Sequence, residues 1–310
     1  MIDISLEKNE DLYKDWEKCL AFLRNGVHNN PSYKYPEEIT NFHIYSEIKN
    51  EKELLCIKSY LATQNLDKTR LIVWSDFDIK ENPLIAPYKD LITLNVYSED
   101  IASDTLLEKS SWLKEHDSKY YMRSGIVRFL VTNKFGGVWS DMDVVFLEDF
   151  KPILDQEWAY MWGGELDFAN FGPCAAMMSF KKNSHLSNMC MVEILETKPL
   201  ANSTVLDHML LARVYTKNNF TVFPAVFFDT EWQMNVDYKN NVRNYDDQGL
   251  GTQMELNWFK KGPLSNQFCD GAFSWHWHNA THKNDQIEPG SKFDLLNSRT
   301  NKKLKEIGIL

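Results

Sequence analysis

Short apolar runs alternate with segments of helical periodicity in the first half of the chain, and this alternation constrains the fold more than any other feature. Residues 52–65 (KELLCIKSYLATQN) have apolar side chains at helical spacing. Strands are predicted on either side: an alternating one at 41–48, a buried one at 69–76 (TRLIVWSD) and another at 89–97. Strand, helix and strand in this succession are typical of a parallel sheet covered by helices. We therefore predict an α/β fold with a Rossmann-like mixed, mainly parallel sheet and flanking helices.

Further elements follow the same principle along the rest of the chain. Helical spacing predicts helices at 7–24, 119–135, 187–197 and 203–217, and apolar runs predict strands at 158–164 and 174–180. From about residue 221 the sequence is aromatic, strand-like and rich in loops. Neither an internal repeat nor a low-complexity linker interrupts the 310 residues, so we expect one continuous domain.

The charge and the cysteines exclude several classes of protein. A net charge of −10 and a pI near 5.3 argue against a nucleic-acid partner, because such proteins carry basic patches. Five scattered cysteines without a C-x-x-C spacing indicate reduced thiols rather than a disulfide framework. The polar N-terminus and the lack of a long apolar run predict neither a signal peptide nor a membrane span. We expect a cytoplasmic protein that works there or at the cytosolic face of a membrane.

Two nearly identical pentapeptides each carry a pair of aspartates, WSDFD at 74–78 and WSDMD at 139–143. Carboxylates one residue apart project to the same side of an extended segment, and Mg²⁺ and Mn²⁺ prefer such oxygen ligands. Ligands of open α/β sheets bind beyond the carboxyl ends of the strands, where both pairs are predicted.

The surrounding sequence distinguishes the two pairs. The second pair follows a predicted helix and the turn Gly136-Gly137, with apolar sequence on both sides, and a small turn lets backbone and ligand approach closely. The first pair continues into a polar loop with two prolines, where an aspartate serves equally well as a turn residue. We predict that Asp141 and Asp143 bind the metal and that Asp76 and Asp78 do not.

The segment RSGIVRFLVTNKFGGVWSDMDV (123–144) resembles the sugar-binding D-x-D region of family 32 glycosyltransferases and of the related α-1,4-glycosyltransferases. Fainter similarities are the Cys-Ile-x-Ser helix at 56–59, Asn170 before an apolar strand and a late histidine at 276. The resemblance implies a GT-A fold, a nucleotide-sugar donor, a glycan acceptor, Mn²⁺ or Mg²⁺, and transfer with retention of anomeric configuration. The predicted domain, 1–310, then comprises an N-terminal helix and loop (1–40), a nucleotide-sugar-binding half (41–150) and an acceptor-side half (151–310).

The same resemblance assigns roles to individual residues. Asp141 and Asp143 would hold the metal that bridges the donor diphosphate, and Arg128 matches the arginine of the family motif. The predicted donor-binding set consists of Tyr45, Arg128, Asp141 and Asn170. Gly125 stands where the family carries an aspartate that helps to hold the donor, and Asp117 is one substitute.

A retaining displacement needs a group near the anomeric carbon, as nucleophile or as stabiliser of an oxocarbenium-like state. The candidates are Asp207 and, as a second choice, Glu165. Related retaining transferases often carry an acidic residue at the start of a helix, and Asp207 occupies such a position in the predicted helix. A charge on a helix surface is the alternative for Asp207.

The stretch GAFSWHWHNATHK (271–283) contains three histidines. A structural zinc site would need more ligands than His276 and His278, and His282 could supply one of them. The family resemblance favours His276 as an additional ligand of the D-x-D metal. Tryptophans could stack on sugars, although burial in the core is the usual state of an indole; they are Trp232, Trp258, Trp275 and Trp277.

The first functional hypothesis is a metal-dependent glycosyltransferase that uses a UDP-sugar or another nucleotide sugar. A phosphohydrolase could also use a strand-end D-x-D, but such enzymes place it on the first strand, and no downstream lysine motif is evident. A carbohydrate-binding protein without catalysis would leave the Gly-Gly turn and its D-x-D unexplained. The absence of a P-loop and of G-x-G-x-x-G argues against kinases and dinucleotide enzymes.

Overall fold

A computed structural model describes residues 16–110, 113, 120–161, 172–196, 206–229, 236–237, 242–243, 258–262 and 268–310. The element bounds below refer to these residues. None of the helices described in these ranges is long and apolar enough to cross a membrane.

Seven strands form the central sheet. In chain order they are β1 (Thr40–Tyr45), β2 (Thr69–Ser75), β3 (Thr93–Val96), β4 (Gly137–Ser140), β6 (Trp158–Met161), β7 (Pro173–Phe180) and β8 (Thr221–Phe223). Their spatial order is β3-β2-β1-β4-β7-β6-β8. The pairs β3/β2, β2/β1, β1/β4 and β6/β8 are parallel, and only the two pairs that β7 makes are antiparallel. The predicted mainly parallel sheet is confirmed.

Four short strands lie outside this sheet. β5 (Val144–Phe146) follows the second aspartate pair and is antiparallel to β11 (Ser274–His276). β9 (Val236–Asp237) and β10 (Val242–Arg243) form a small hairpin. The β5/β11 pairing brings the late histidine-rich segment to the strand that follows the aspartates.

Seven α-helices occur in the described residues. They are α1 (Trp16–Phe22), α2 (Glu51–Thr63), α3 (Tyr120–Phe135), α4 (His185–Glu196), α5 (Leu206–Lys217), α6 (Asn279–His282) and α7 (Lys292–Glu306). A π-helical turn (Leu23–Val27) extends α1, and single 3₁₀ turns occupy Glu99–Ala102, Lys151–Ile153 and Ala225–Phe227. The predicted flanking helices are confirmed, although residues 7–15 of the first one lie outside the described residues. The long helix α7 was not predicted, because the chain beyond about residue 221 was expected to consist of strands and loops.

Both faces of the inner strands are buried, which explains the apolar runs of β2 and β7, whereas the edge strand β3 is partly exposed. Successive side chains of a strand point to opposite faces. One core therefore contains Phe42, Ile44, Leu71, Val73 and Val138, and the core on the other face contains Tyr45, Ile72, Trp74 and Trp139. Strands covered on both sides lose the polar alternation of a half-exposed sheet.

The Gly136-Gly137 turn connects α3 to β4 and so sets where the aspartates lie. Gly136 ends the helix at φ +69°, and its N–H donates to the carbonyl of Thr132 (3.0 Å). Gly137 has φ +109°, a conformation that L side chains rarely adopt, and a Cβ there would lie 2.1 Å from the carbonyl oxygen of Asn41. The backbone of β4 can pair with β1 at this point only because residue 137 has no side chain.

Gly137→Ala should therefore destabilise the protein strongly. Backbone strain and the clash with Asn41 together predict a loss of about 3 kcal/mol or more in the free energy of unfolding, measured by urea denaturation. Gly262→Ala is the matched control, because an added Cβ there meets nothing within 4 Å. Equal stability of the two variants would contradict this role of the turn.

Candidate metal and donor site

The two pentapeptides lie at the same edge of the sheet. The aspartates of WSDFD follow the end of β2, and those of WSDMD follow the end of β4. β1 lies between these two parallel strands. Neighbouring strands are about 4.8 Å apart, so the two sequences end roughly 10 Å from each other. This is the carboxyl edge, where open α/β sheets bind their ligands.

The two carboxylates of the first pentapeptide are engaged separately. Asp76 forms an ion pair with Arg123 of α3 (2.5 Å) and accepts a hydrogen bond from the hydroxyl of Tyr45. Asp78 has a side chain that is 60% exposed, and it accepts from the backbone N–H of Lys80 (3.0 Å), as a turn residue does. The arginine neutralises one carboxylate and solvent surrounds the other.

Asp141 of the second pentapeptide is held by a buried arginine. Its Oδ1 lies 3.2 Å from Nη2 of Arg128 and accepts from the indole N–H of Trp139 (2.8 Å). The guanidinium of Arg128 also donates to the carbonyl of Ala175 (2.8 Å) and lies over the Trp139 ring. These contacts hold the guanidinium of Arg128 in one position, so a fixed positive charge lies beside the carboxylate of Asp141.

Asp143 is held by the histidine-rich segment. Its Oδ2 accepts from the backbone N–H of Asn279 (2.7 Å) and lies 3.2 Å from Nε2 of His276. The backbone of Asp143 is fixed as well, since its carbonyl accepts from the N–H of Trp277 (3.0 Å). The antiparallel register places His276 opposite Val144, one residue after Asp143.

The environment moves the pKa values of the two aspartates in opposite directions. Burial raises the pKa of Asp141 to about 6, and the charge of Asp143 adds to this, while the Arg128 guanidinium opposes it. Burial would also raise the pKa of Asp143, but the charge and hydrogen bond of His276 and the Asn279 N–H lower it below its usual range. Burial lowers the pKa of His276, yet Asp143 and Asp229 raise it well above its ordinary value. Such opposed shifts are typical of functional sites.

Asp229 extends the cluster behind His276. Its carboxylate lies 3.0 Å from Nε2 of His278 and 3.8 Å from Nδ1 of His276, and the two imidazole rings are stacked with centroids 3.9 Å apart. Asp229, His276 and His278 are buried, and one ligand atom from each lies within 4.8 Å of the others. Within the described ranges, Nδ1 of His276 has no hydrogen-bond partner and faces Asp229, whereas Nε2 is the ring nitrogen that faces Asp143.

The sequence alone does not identify Asp229 as a neighbour of His276 and His278, and it indicates His282 as a candidate third ligand. Nδ1 of His282 instead pairs with Asp285 (2.7 Å). One feature of the sequence could have identified Asp229: it is a single carboxylate directly after the apolar run FPAVFF, and it is buried together with that run. His278 has φ +50°, a left-handed conformation that positions its ring beside Asp229 and starts α6.

Some of the other predicted site residues lie in the described part of the chain and some do not. Tyr45 ends β1 and hydrogen-bonds Asp76. Asp207 is the second residue of α5, whereas Glu165, Asn170, Asp117 and Trp232 lie outside the described residues. Sugar stacking by the other tryptophans is wrong, because Trp258, Trp275 and Trp277 are at most 1% exposed and belong to the core.

The comparisons with known proteins agree with the motif. Residues 50–160 match the family described as "Glycosyltransferase sugar-binding region containing DXD motif". The matched range contains both aspartate pairs, so the choice between them rests on their geometry. No curated protein matches the sequence.

Similar solved structures are glycosyltransferases of low sequence identity. PaToxG glycosyltransferase is 13% identical over 96% of both chains (TM-score 0.46). GlyE of Streptococcus pneumoniae TIGR4 is 10% identical over 87% of this chain and 63% of its own (TM-score 0.49). The galactosyltransferase LgtC is 10% identical over 84% of this chain and 96% of its own (TM-score 0.45). The matched region does not favour a phosphohydrolase or a non-catalytic binding protein: residues 50–160 match a DXD-containing glycosyltransferase sugar-binding region, which agrees with the predicted enzyme class, a glycosyltransferase, and the predicted α/β fold with a mainly parallel sheet is confirmed.

Proposed function

We propose that the protein is a metal-dependent glycosyltransferase that moves a sugar from a UDP-sugar to a hydroxyl of a glycan or another acceptor. One observation carries the proposal. Asp141, Asp143 and His276 converge at the carboxyl end of β4, with Arg128 beside them. Asp141, Asp143 and Arg128 lie inside the region that matches the DXD family, and β11 brings His276 to them. Oxygen and imidazole ligands together suit Mn²⁺, and carboxylates also suit Mg²⁺.

The charges of these residues favour a bound divalent cation. Two carboxylates lie close enough for their charges to interact, and the protonated His276 partly balances them. A cation at this place would compensate both carboxylates and allow His276 to be neutral, which is the form in which histidine binds metals. Asp141, Asp143 and His276 would hold the ion, and Asp229 and His278 would orient His276 from behind, as supporting residues commonly do.

The chemistry follows from the charge that develops during transfer. The bond between the anomeric carbon and the diphosphate breaks with its electron pair on the diphosphate, and the acceptor oxygen forms the new bond as its proton leaves. A bound divalent ion stabilises charge on the diphosphate. Arg128 is the nearby fixed cation that orients Asp141 for this task. We propose retention of configuration with Asp207 or Glu165 at the anomeric carbon, which proton NMR of the product tests.

A thermal-shift screen of UDP, GDP, CMP and their sugars, each with and without Mn²⁺, tests the proposal. A ligand present at about 100 times its Kd stabilises the native state by about 2.7 kcal/mol, which corresponds to a rise of about 5 °C in Tm. We expect such a rise with a uridine nucleotide and only in the presence of Mn²⁺. The rise should vanish in Asp141→Asn and persist in Asp78→Asn. No response to any nucleotide would overturn the proposal.

A further inference from the structure

Asp76, which follows β2, has one carboxylate oxygen occupied and one available. Its Oδ1 accepts hydrogen bonds from both the guanidinium of Arg123 (2.5 Å) and the hydroxyl of Tyr45 (2.5 Å). Its Oδ2 makes no hydrogen bond with any residue in the described part of the chain, and it keeps accessible surface, since the side chain is 18% exposed. Because two donors hold Oδ1, Oδ2 is a fixed acceptor that a ligand can reach.

Asp76 lies beside the place in the sheet where a nucleotide is expected. The chain runs from β1 outward through β2 and β3, and it then returns to β4 on the other side of β1. The strand order therefore reverses between β1 and β4. Open α/β sheets bind their ligands at such a reversal, beyond the carboxyl ends of the strands. Asp141 and Asp143 lie on the β4 side of this point, and Asp76 lies on the β2 side.

The spacing suits the nucleoside part of a nucleotide. When a metal at Asp141 and Asp143 binds the diphosphate, the ribose and the base extend away from the metal. Asp76 is two strand spacings from these aspartates, about 10 Å. A distance of this order separates the phosphates of a nucleotide from its ribose hydroxyls and its base. In dinucleotide-binding sheets, by analogy, an acidic residue beyond the phosphate-binding turn accepts a hydrogen bond from a ribose hydroxyl.

An exposed aromatic ring lies next to this carboxylate in the chain. Phe77 is 64% exposed, although large apolar side chains are usually buried. Its backbone is held, because its carbonyl accepts from the hydroxyl of Ser75 (2.6 Å) and the carbonyl of Ser75 accepts from the N–H of Tyr97 (2.8 Å). Aromatic side chains stack on the faces of nucleobases. A fixed acceptor beside an aromatic ring matches a nucleoside, which has hydrogen-bond donors and a flat base.

We propose that Asp76 binds the nucleoside of the sugar donor through Oδ2, and that Arg123 and Tyr45 position its carboxylate. The group that donates to Oδ2 is a ribose hydroxyl or the N3–H of uracil. This inference rests on the proposed function, because it needs a nucleotide at the metal. The two similar pentapeptides would then bind different parts of one nucleotide, WSDMD through a metal and WSDFD without one.

Isothermal titration with nucleotides at saturating Mn²⁺ tests the proposal. The ligands are UDP, 2′-deoxy-UDP and 3′-deoxy-UDP, which each lack one ribose hydroxyl, and 3-methyl-UDP, which has no N3–H. We expect at least one analogue to bind the wild-type protein about tenfold more weakly than UDP, because a hydrogen bond to a charged group is lost. The analogue that is weakened identifies whether Asp76 binds the ribose or the base.

The same titrations on variants assign the effect to Asp76. Asp76→Ala is combined with Arg123→Met, so that no largely buried arginine is left without its carboxylate. In this double variant UDP should bind about tenfold more weakly, and the weakened analogue should bind as well as UDP. Arg123→Met alone keeps the carboxylate and should keep the preference for UDP. Asp78→Ala removes an exposed carboxylate and should also keep it.

Asp76→Asn decides the matter if the double variant does not fold. Arg123 and Tyr45 are donors, so they select the amide oxygen of the new side chain and turn its NH₂ group toward the ligand. An NH₂ group cannot accept a hydrogen bond, so the preference for UDP should again be lost.

The outcomes separate this inference from the proposed function. If UDP binds with Mn²⁺ but every analogue binds equally well, the inference is overturned and the proposed function stands. The same holds if the double variant, or Asp76→Asn in its place, keeps the preference for UDP. If no nucleotide binds the wild-type protein, both are overturned.

Discussion

Asp143→Ala should reduce sugar transfer by about 100- to 1,000-fold, whereas Asp78→Ala should leave transfer largely unchanged. The two substitutions remove the same side chain from the same position of nearly identical pentapeptides. Asp143 accepts from Asn279 and contacts His276 at the centre of the proposed metal site, whereas Asp78 is exposed and caps a turn. The initial rate of release of the nucleotide diphosphate measures the effect.

A measurement of metal binding distinguishes a variant that has lost the metal site from one that no longer folds. Isothermal titration with Mn²⁺ in the absence of donor should show a site in the wild-type protein and in Asp78→Ala, and none in Asp143→Ala. Circular dichroism should show the same secondary structure for all three proteins. Equal losses of transfer in the two variants would refute the choice between the pentapeptides.

Asp76 is a poorer control than its sequence suggests. From the sequence alone it is the counterpart of Asp141 and should be dispensable. In the structure it neutralises Arg123 and accepts from Tyr45, so Asp76→Ala would leave a largely buried arginine without its carboxylate. A loss of activity in that variant would report on the packing of α3 rather than on metal binding.

The sequence predicts those parts of the fold that depend on local pattern. The strand at 69–75 is apolar because both faces of the sheet are buried there, and the helix that precedes it shows its period in one segment. The Gly136-Gly137 turn is visible because positive φ selects glycine. These features need no knowledge of distant residues.

The parts that were missed depend on pairing between distant segments. Asp229 approaches His276 and His278 because the residues before it contact the start of β11: the carbonyl of Phe227 accepts from the N–H of Phe273 (2.8 Å), and the carbonyl of Phe228 accepts from the hydroxyl of Ser274 (3.0 Å). No local pattern specifies this contact. Burial in the core is the usual state of an indole, and the tryptophans at 258, 275 and 277 follow it, since they form a third core with Phe259 and Phe293. The sequence does not show which distant segments this core joins.

Arg128→Gln should shift Mn²⁺ binding to higher pH and strongly reduce transfer at neutral pH. Burial holds the pKa of Asp141 near 6, and the guanidinium of Arg128 is the main group that lowers it. Without the guanidinium the carboxyl keeps its proton to a higher pH, and a protonated carboxyl is not a ligand. Mn²⁺ titrations of the wild-type protein from pH 5 to 8 should show affinity rising through about pH 6, and the midpoint in Arg128→Gln should be higher.

Arg128→Lys separates the charge from the geometry. Lysine keeps a positive charge beside Asp141, so the pH midpoint of Mn²⁺ binding should stay close to that of the wild-type protein. It cannot reproduce the planar contacts of the guanidinium with the Ala175 carbonyl and the Trp139 ring, so transfer should still fall. Removing one partner of a buried ion pair costs about 3–5 kcal/mol, and Arg128→Gln should therefore also have a lower Tm than Arg128→Lys. If the pH midpoint of Mn²⁺ binding is unchanged in a folded Arg128→Gln, the protonation of Asp141 does not limit metal binding. Asp141 would then not be a ligand, and the arginine would act on the donor phosphates instead.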